Sequence, residues 1–216
     1  MPSVTNSWTH VSIDWTTVRN VVTPVKDQAN CGACYAFAAV GAIESLSYLV
    51  NGTYGADLSE QQVVDCSGSY GNLGCNGGDM INAFNYVKDV GLAYEAAYPY
   101  KGQTNPSCQI KKGSFKISGY TQVPDGDCKA LASAVAGRPV AVGVDASNWQ
   151  YYKNGTLSNC TMEPNHGVLL VGVNRFNWKI KNSWGTGWGE RGYIRLSAIN
   201  GNNTCNVCFS GMYPNA

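Results

Sequence analysis

The sequence predicts an α+β fold, with a helix-rich first part and a strand-rich second part. Up to about residue 119, three stretches have the pattern of helices, and a loop between them is rich in glycine and polar residues. Beyond Gly119 the apolar runs are short and are bounded by glycine, asparagine and proline, which is typical of strands. The length of 216 residues is enough for one large domain, or for two lobes that share an interface.

The first predicted helix runs from Cys34 to Val50 and is apolar almost all round. Glu44 is its only charged residue, and Asn51-Gly52 ends it. A helix without a polar face belongs in an interior. Two more helices are predicted, one opened by a capping box at Ser59-Glu60-Gln61-Gln62 and running toward Cys66, the other from Met80 to Val87.

Four runs beyond Gly119 have the pattern of strands. They are Val140 to Val144, Gly167 to Val173, Trp178 to Lys181 and Gly192 to Leu196. No internal repeat or low-complexity tract is visible.

Charge and hydropathy narrow the classes of partner. The formal net charge is +1, only 13% of the residues are charged, and there is no basic stripe, so we expect no nucleic-acid partner. No run of 18 apolar residues is present, and we expect no membrane span.

Residues 1–15 lack the charged and apolar regions of a signal peptide. We therefore hypothesise a mature form whose leader, and a prosegment, have been removed.

The cysteine count indicates an oxidising compartment. Of nine cysteines, eight can pair and one is left as a free thiol. Four asparagines also start N-glycosylation patterns, and together with the cysteines they favour the secretory route: Asn51, Asn154, Asn159 and Asn202.

A possible nucleophile stands where the first helix begins. Cys34 closes the run Gln28-Ala29-Asn30-Cys31-Gly32-Ala33-Cys34. The thiolate is the reactive form of cysteine, and its ordinary pKa is about 8.5. A helix N-terminus favours the charged form only weakly. A nearby cation is therefore required, and we expect an imidazolium to supply it.

The base and its partner lie far downstream. The chain has two histidines, and His10, in a polar segment, is expected to be a solvated surface residue. His166 stands at the start of a predicted strand, and a lone histidine there is more often a core residue. Asn182 changes this interpretation, because its carbonyl can accept the imidazole N–H and hold the other nitrogen toward sulfur. Two more residues join this set: Trp184 to shield that hydrogen bond from water, and Gln28 to donate to an oxyanion.

Two other interpretations of the cysteines remain open from the residues alone. Cys31-Gly32-Ala33-Cys34 also has the pattern of a thioredoxin-like redox motif, although no apolar strand precedes it. Cys205-Asn206-Val207-Cys208 with Cys31 and Cys34 suggests a zinc site, although no histidine is near. We expect no metal and no cofactor.

The whole series of motifs resembles the papain-like cysteine peptidases, most closely endopeptidases of the cathepsin L type. The resemblance runs from Asp14-Trp15 to Tyr213-Pro214. It passes through the Cys34 motif, Cys75-Asn76-Gly77-Gly78, Asn165-His166-Gly167 and Lys181-Asn182-Ser183-Trp184-Gly185. It implies a papain-like two-lobed fold, with a helical lobe at about 10–119 packed against a β-barrel-like lobe at about 120–210. The cleft would lie between the lobes, the termini would cross between them, and residues 1–216 would be one peptidase domain.

The same resemblance implies the roles of the site residues. Cys34, His166, Asn182 and Gln28 would be catalytic, and Trp184 would support them. Gly77 and Gly78 would hydrogen-bond an extended substrate, and Trp188 would line the leaving-group side. The main specificity pocket would be formed by small or apolar residues, none of them acidic: Met80, Gly143, Pro164, Gly167 and Ser210. We therefore predict a bulky apolar residue at P2, the position before the scissile residue.

The resemblance also implies partners, location and disulfides. The expected partners are protein and peptide substrates, the chain's own propeptide and cystatin-like inhibitors, acting on a monomer in a lysosome or vacuole or outside the cell. A catalytically silent binding or storage protein on the same fold is the alternative. The implied bridges are Cys31–Cys75, Cys66–Cys108 and Cys160–Cys205, and exclusion then suggests Cys128–Cys208 as a fourth.

Overall fold

The computed structural model describes residues 11–52 and 56–216, so His10 and Thr53 of the first glycosylation pattern lie outside the described residues. Helices and strands are both present in this part of the chain, and the α+β class is confirmed. The helices are α1 (Cys34–Asn51), α2 (Glu60–Cys66), α3 (Met80–Asp89) and α4 (Cys128–Gly137). The strands are β1 (Ile13–Asp14), β2 (Gly119–Gln122), β3 (Val140–Val144), β4 (Thr156–Leu157), β5 (His166–Val173), β6 (Asn177–Lys181), β7 (Tyr193–Ser197) and β8 (Met212–Asn215).

Helix α1 is an interior helix, as its lack of a polar face predicts. Every residue from position 35 to position 47 is buried. The helix ends at Gly52, whose φ of 64° is a left-handed conformation that glycine adopts without strain. Buried Glu44 accepts hydrogen bonds from Lys26 Nζ at 2.9 Å and from Thr23 Oγ1 at 2.5 Å. The one charge of the helix is therefore compensated.

Helix α2 begins at the predicted cap, but only half of the capping box forms. Ser59 Oγ accepts the N–H of Gln62 at 3.0 Å. The Gln62 side chain does not reach back to Ser59. It accepts the N–H of Ala93 at 2.6 Å and donates to the Tyr86 hydroxyl at 2.9 Å. A buried glutamine is better satisfied by these distant partners, which the local sequence does not reveal.

The strands form an open sheet, which corrects the expectation of a β-barrel-like lobe. Its order is β2-β8-β3-β5-β6-β7-β4, and β1 pairs with β5 beside this path. Neighbours along the path are antiparallel except β4 and β7, which are parallel. In the described residues β2 and β4 stand at opposite ends of the path and do not pair with each other. A barrel needs that closing pair.

Strand β5 is buried along its whole length because it separates two hydrophobic cores. Its side chains alternate between the faces of the sheet. Leu169 and Val171 pack with α1, α2 and α3, while Val168 and Leu170 pack with α4 and the neighbouring strands. His166 therefore starts a strand that both cores hold in place.

Helix α4 was not predicted. Its cap is Asp127, whose carboxylate accepts the N–H of Ala130 at 2.8 Å. A capping aspartate before an alanine-rich run is a helix signal, but it lies inside the region whose other runs indicate strands. No helix among the described residues is both long and apolar enough to cross a bilayer.

Candidate active site

One open cavity of about 270 Å³ brings the predicted nucleophile and base together. Cys34 and Tyr35 enter it from the start of α1, and His166 and Gly167 from the start of β5. The two segments pack closely, since a Cβ on Gly167 would lie 3.4 Å from the carbonyl oxygen of Cys34.

Cys34 is the free thiol, because the other eight cysteines form disulfides. It is the first residue of α1, and no side chain caps that helix. Burial raises the pKa of the Cys34 thiol, and the backbone N–H groups of Gly167, Tyr35 and Cys34 act in the opposite direction. On its own, the thiol is therefore held in its neutral form.

His166 is bound to Asn182 with a defined orientation. Its Nε2 lies 2.7 Å from Asn182 Oδ1. The N–H of Ser183 donates to the same Oδ1 at 2.9 Å, so this end of the amide is the oxygen. An oxygen can only accept, which assigns the imidazole proton to Nε2 and leaves Nδ1 free. Burial lowers the pKa of His166, and the Asn182 hydrogen bond opposes this.

Indole rings surround the His166 imidazole. The Trp184 ring centroid lies 5.0 Å from that of His166, and the Trp149 ring meets it edge-on at 6.1 Å. Trp188 packs against Trp184 at 5.1 Å. His166 and Asn182 are both buried, so the hydrogen bond between them is made away from water.

The Gln28 amide is fixed at both ends. Its Nε2 donates to the carbonyl of Cys31 at 2.9 Å, and its Oε1 accepts the hydroxyl of Ser183 at 2.6 Å. The backbone N–H of Gln28 also donates to the Ser183 carbonyl at 2.8 Å. An amide nitrogen carries two hydrogens, so one donor of Gln28 remains available.

The structure gathers most of the residues expected to bind substrate, but not all of them. Gly77 and Trp188 are not part of the lining of the cavity, although Trp188 lies nearby against Trp184. The expected residues that do line it are Gly78, Met80, Gly143, Pro164, Gly167 and Ser210.

Three further lining residues were missed: Tyr35, Asp79 and Asn165. Asp79 matters most, because the residues expected to form the pocket include no acidic side chain. Its neighbours Gly78 and Met80 were both assigned to the site, and that adjacency is the signal that could have revealed it.

A buried aspartate outside the cavity holds the loop that leads to His166. Asp145 follows β3, and its side chain accepts the N–H groups of Ser147 at 3.0 Å, Thr161 at 2.6 Å and Met162 at 2.9 Å. The Thr161 hydroxyl adds a fourth bond at 2.7 Å. Burial acts to raise the pKa of Asp145, but these bonds outweigh it and hold the pKa well below its ordinary value. The segment before His166 is thus fixed by one carboxylate.

The four disulfides decide between the interpretations of the cysteines. Three of them, Cys31–Cys75, Cys66–Cys108 and Cys160–Cys205, are the pairs that the resemblance implies, and Cys128–Cys208 is the pair that exclusion suggests. Cys31 is therefore not the redox partner of Cys34, and neither Cys205 nor Cys208 is free to bind zinc. In residues 11–52 and 56–216 no group of three or more histidine, cysteine, aspartate and glutamate side chains is placed to hold a metal ion.

Comparison with known proteins agrees with this geometry. The family model described as papain family cysteine protease matches residues 9–215. "Cathepsin L 2" of Paramecium tetraurelia is 47% identical over 207 residues, which are 94% of this chain and 63% of that protein. "Cathepsin L1" of Drosophila melanogaster is 43% identical over 217 residues, 94% of this chain and 57% of that protein. The chain thus spans less than two thirds of the length of these curated relatives.

Solved structures show the same fold. A digestive procathepsin L 3 from Tenebrio molitor larval midgut superposes with a TM-score of 0.89 at 41% identity, covering 100% of this chain and 73% of that one. Bromelain protease from Ananas comosus, in complex with the E64 inhibitor, gives 0.87 at 38% identity, covering 95% and 98%. The chain belongs to the papain family of cysteine proteases and has its fold.

Replacing Asp145 by asparagine tests how strongly the carboxylate holds this loop. Asparagine places an amide NH2 group, which is a donor, against backbone N–H groups, which are also donors. We therefore expect the free energy of unfolding at pH 7 to fall by about 1–3 kcal/mol. The folded-state pKa lies below the ordinary value near 3.9. The stabilisation is therefore fully present above about pH 4 and is lost as the pH falls through the folded-state pKa.

The measurement is denaturant unfolding between pH 3 and pH 7, with the free thiol of Cys34 alkylated in every sample. The difference between the native protein and Asp145→Asn should be constant from pH 5 to pH 7 and shrink below pH 4. Asp89→Asn, at an exposed carboxylate, is the matched control. Equal stabilities of Asp145→Asn and the native protein at pH 7 would contradict the assignment.

Proposed function

We propose that this chain is a cysteine endopeptidase that hydrolyses peptide bonds in proteins through a thiolate–imidazolium pair. The observation that carries the proposal is the His166–Asn182 hydrogen bond of 2.7 Å, beside the cavity that also holds the free thiol of Cys34. Family membership supports the same reaction class.

The reaction is an acyl transfer in two steps. The Cys34 thiolate attacks the peptide carbonyl, and the His166 imidazolium protonates the leaving amine, so that a thioester forms. His166 then takes a proton from water, and the hydroxide that forms attacks the thioester, releases the acid product and restores the Cys34 thiolate beside the His166 imidazolium. Asn182 keeps the His166 proton on Nε2, so Nδ1 faces the reaction.

The attraction between the two charges must exceed their separate costs of burial. Burial alone favours neutral Cys34 and neutral His166. A helix N-terminus contributes about 0.3–1 kcal/mol. Opposite unit charges about 4 Å apart attract by about 4 kcal/mol at an effective dielectric constant near 20, which corresponds to about 3 pKa units. The pair, rather than the helix, therefore ionises the thiol.

Gln28 is proposed to stabilise the oxyanion. Its remaining amide hydrogen, together with the backbone N–H of Cys34, supplies two donors, and loss of one such donor typically lowers kcat by about 10²–10³. Ser183 supports this role, because its hydroxyl holds the amide oxygen and so directs the nitrogen.

The organisation and setting of the chain are part of the same proposal. We infer one peptidase domain over residues 1–216, with a helical lobe at about 10–119, a β-rich lobe at about 120–210 and termini that cross between them. Substrates would be proteins and peptides, and regulators the chain's own propeptide and cystatin-like inhibitors acting on a monomer. The disulfides and the exposure of Asn51, Asn154, Asn159 and Asn202 support a lysosomal, vacuolar or extracellular location.

The charge state of the thiol can be measured directly. We expect the rate of alkylation of Cys34 by iodoacetamide to stay high down to about pH 4, because a thiolate paired with an imidazolium has a pKa of about 3–4. An epoxysuccinyl inhibitor should label the same residue with one-to-one stoichiometry. A rate that rises only above pH 8, or no labelling, would favour the silent binding protein.

Removal of Cys34 and removal of Asn182 should reduce turnover to different extents. Cys34→Ala should abolish turnover with the fold intact, because no other group replaces the nucleophile. Asn182→Ala should slow turnover less, because it affects only the orientation of His166. The test compares kcat/KM of purified variants with a fluorogenic dipeptide, with circular dichroism to verify folding. Equally small losses would contradict the assignment.

Substrate preference at P2 follows from the cavity lining. Met80 is buried beside Gly143 and Pro164, and we expect leucine or phenylalanine at P2 to be hydrolysed faster than arginine. The expected advantage is about tenfold in kcat/KM, the lower end of the range of about 10–200-fold that a single methylene group is worth in an apolar pocket. A panel of fluorogenic dipeptides that differ only at P2 measures it. A clear preference for arginine would contradict the prediction.

A further inference from the structure

The carboxylate of Asp79 lines the same cavity as the apolar residues and is held at its rim by the fold. Asp79 is the N-cap of α3 and accepts the N–H of Ile81 through Oδ1 at 3.0 Å. Its own N–H donates to Asn72 Oδ1 at 2.8 Å. Both the backbone and one carboxylate oxygen are therefore fixed, while the side chain remains exposed.

No lysine or arginine of the described residues pairs with this carboxylate. No lysine or arginine lines the cavity, and Asp79 takes part in none of the ion pairs of the described part of the chain. Its Oδ2 receives no hydrogen bond from those residues, since the one bond to the side chain is made to Oδ1. An exposed carboxylate thus stands beside the apolar part of the lining, which Met80 and Pro164 form.

Lysine and arginine side chains match an apolar lining that has an exposed carboxylate beside it. Lysine and arginine lay their aliphatic stems along apolar surface and keep the charged group in water. A stem that packs on Met80 and Pro164 inside the cavity leaves its charged end at the rim, where Asp79 lies. The cavity volume of about 270 Å³ accommodates such a stem.

We propose that Asp79 is a specificity-determining residue that binds the cationic end of a lysine or arginine at P2. This inference rests on the proposed peptidase function. The chain then accepts basic residues at P2 as a second class, beside the apolar ones that the cavity walls favour. An exposed ion pair changes an equilibrium by only about two- to fivefold, so the basic class remains the slower one.

The test compares arginine with citrulline at P2, because citrulline has nearly the same shape without the charge. Blocked fluorogenic dipeptides with one common P1 residue are assayed at pH 6, with enzyme concentrations fixed by active-site titration. The native protein should show kcat/KM about two- to fivefold higher for arginine than for citrulline. This preference should fall as salt rises from 0.05 to 0.5 M.

In Asp79→Asn the ratio of kcat/KM for the arginine substrate to that for the citrulline substrate should fall to about one. Asparagine caps a helix as well as aspartate does, so α3 is preserved. Asp79→Ser, a second capping residue, provides an independent neutral variant. Asp89→Asn is the matched control, since it removes the same charge at the other end of α3, about 15 Å away, and it should keep the arginine preference.

The outcomes separate this inference from the function on which it rests. An arginine-to-citrulline ratio that is the same in Asp79→Asn and the native protein, with both active, would overturn the role of Asp79 alone. An equal loss with both substrates would also overturn it, because the effect would then be structural. Absence of turnover with every dipeptide in the native protein would overturn the proposed function, and the role of Asp79 with it.

Discussion

Close packing of α1 against β5 is the constraint on which the candidate site depends. Because α1 has no polar face, it is stable only when covered on every side, and β5 covers it along one of them. Glycines permit the short distance, since added Cβ atoms on Gly41 and Gly167 would lie 3.2 Å from Leu169 Cδ2 and 3.4 Å from the Cys34 carbonyl. The packing of a hydrophobic helix thus places the first residue of that helix beside the first residue of a strand.

A second constraint sets the orientation of the groups once they are near. The segment after β6 pairs with the segment before α1, through the N–H of Gln28 to the Ser183 carbonyl and the N–H of Gly185 to the Lys26 carbonyl. Two backbone hydrogen bonds therefore fix these segments relative to each other. Asn182, which holds His166, is therefore positioned by the same ladder that positions Gln28.

The sequence predicted local features better than those that depend on tertiary pairing. The interior helix α1, the Ser59 cap and strand β3 each have a signal within a few residues, whereas barrel closure depends on which end strands meet, and the sheet is open. The Gln62 half of the capping box does not form, because its side chain bonds to Tyr86 and Ala93, which lie 24 and 31 residues away. The long-range pairings came from resemblance to a family, not from spacing. Asp79 was missed because its place in the cavity depends on where α3 begins.

The carboxylate of Asp145, outside the cavity, and the proposed thiolate of Cys34 are two anions that depend on different kinds of stabilisation. Asp145 stays ionised with no cation, because four hydrogen-bond donors surround a carboxylate whose ordinary pKa is already low. Sulfur is a weaker hydrogen-bond acceptor than a carboxylate oxygen, and Cys34 has only three backbone donors. The ordinary pKa of a cysteine thiol is also higher, about 8.5. Donors alone cannot offset that difference together with burial. The proposed thiolate therefore needs a cation, and removal of either member of the pair returns the other to its neutral form, which burial favours. In the proposed mechanism the nucleophile and the base therefore titrate as one unit.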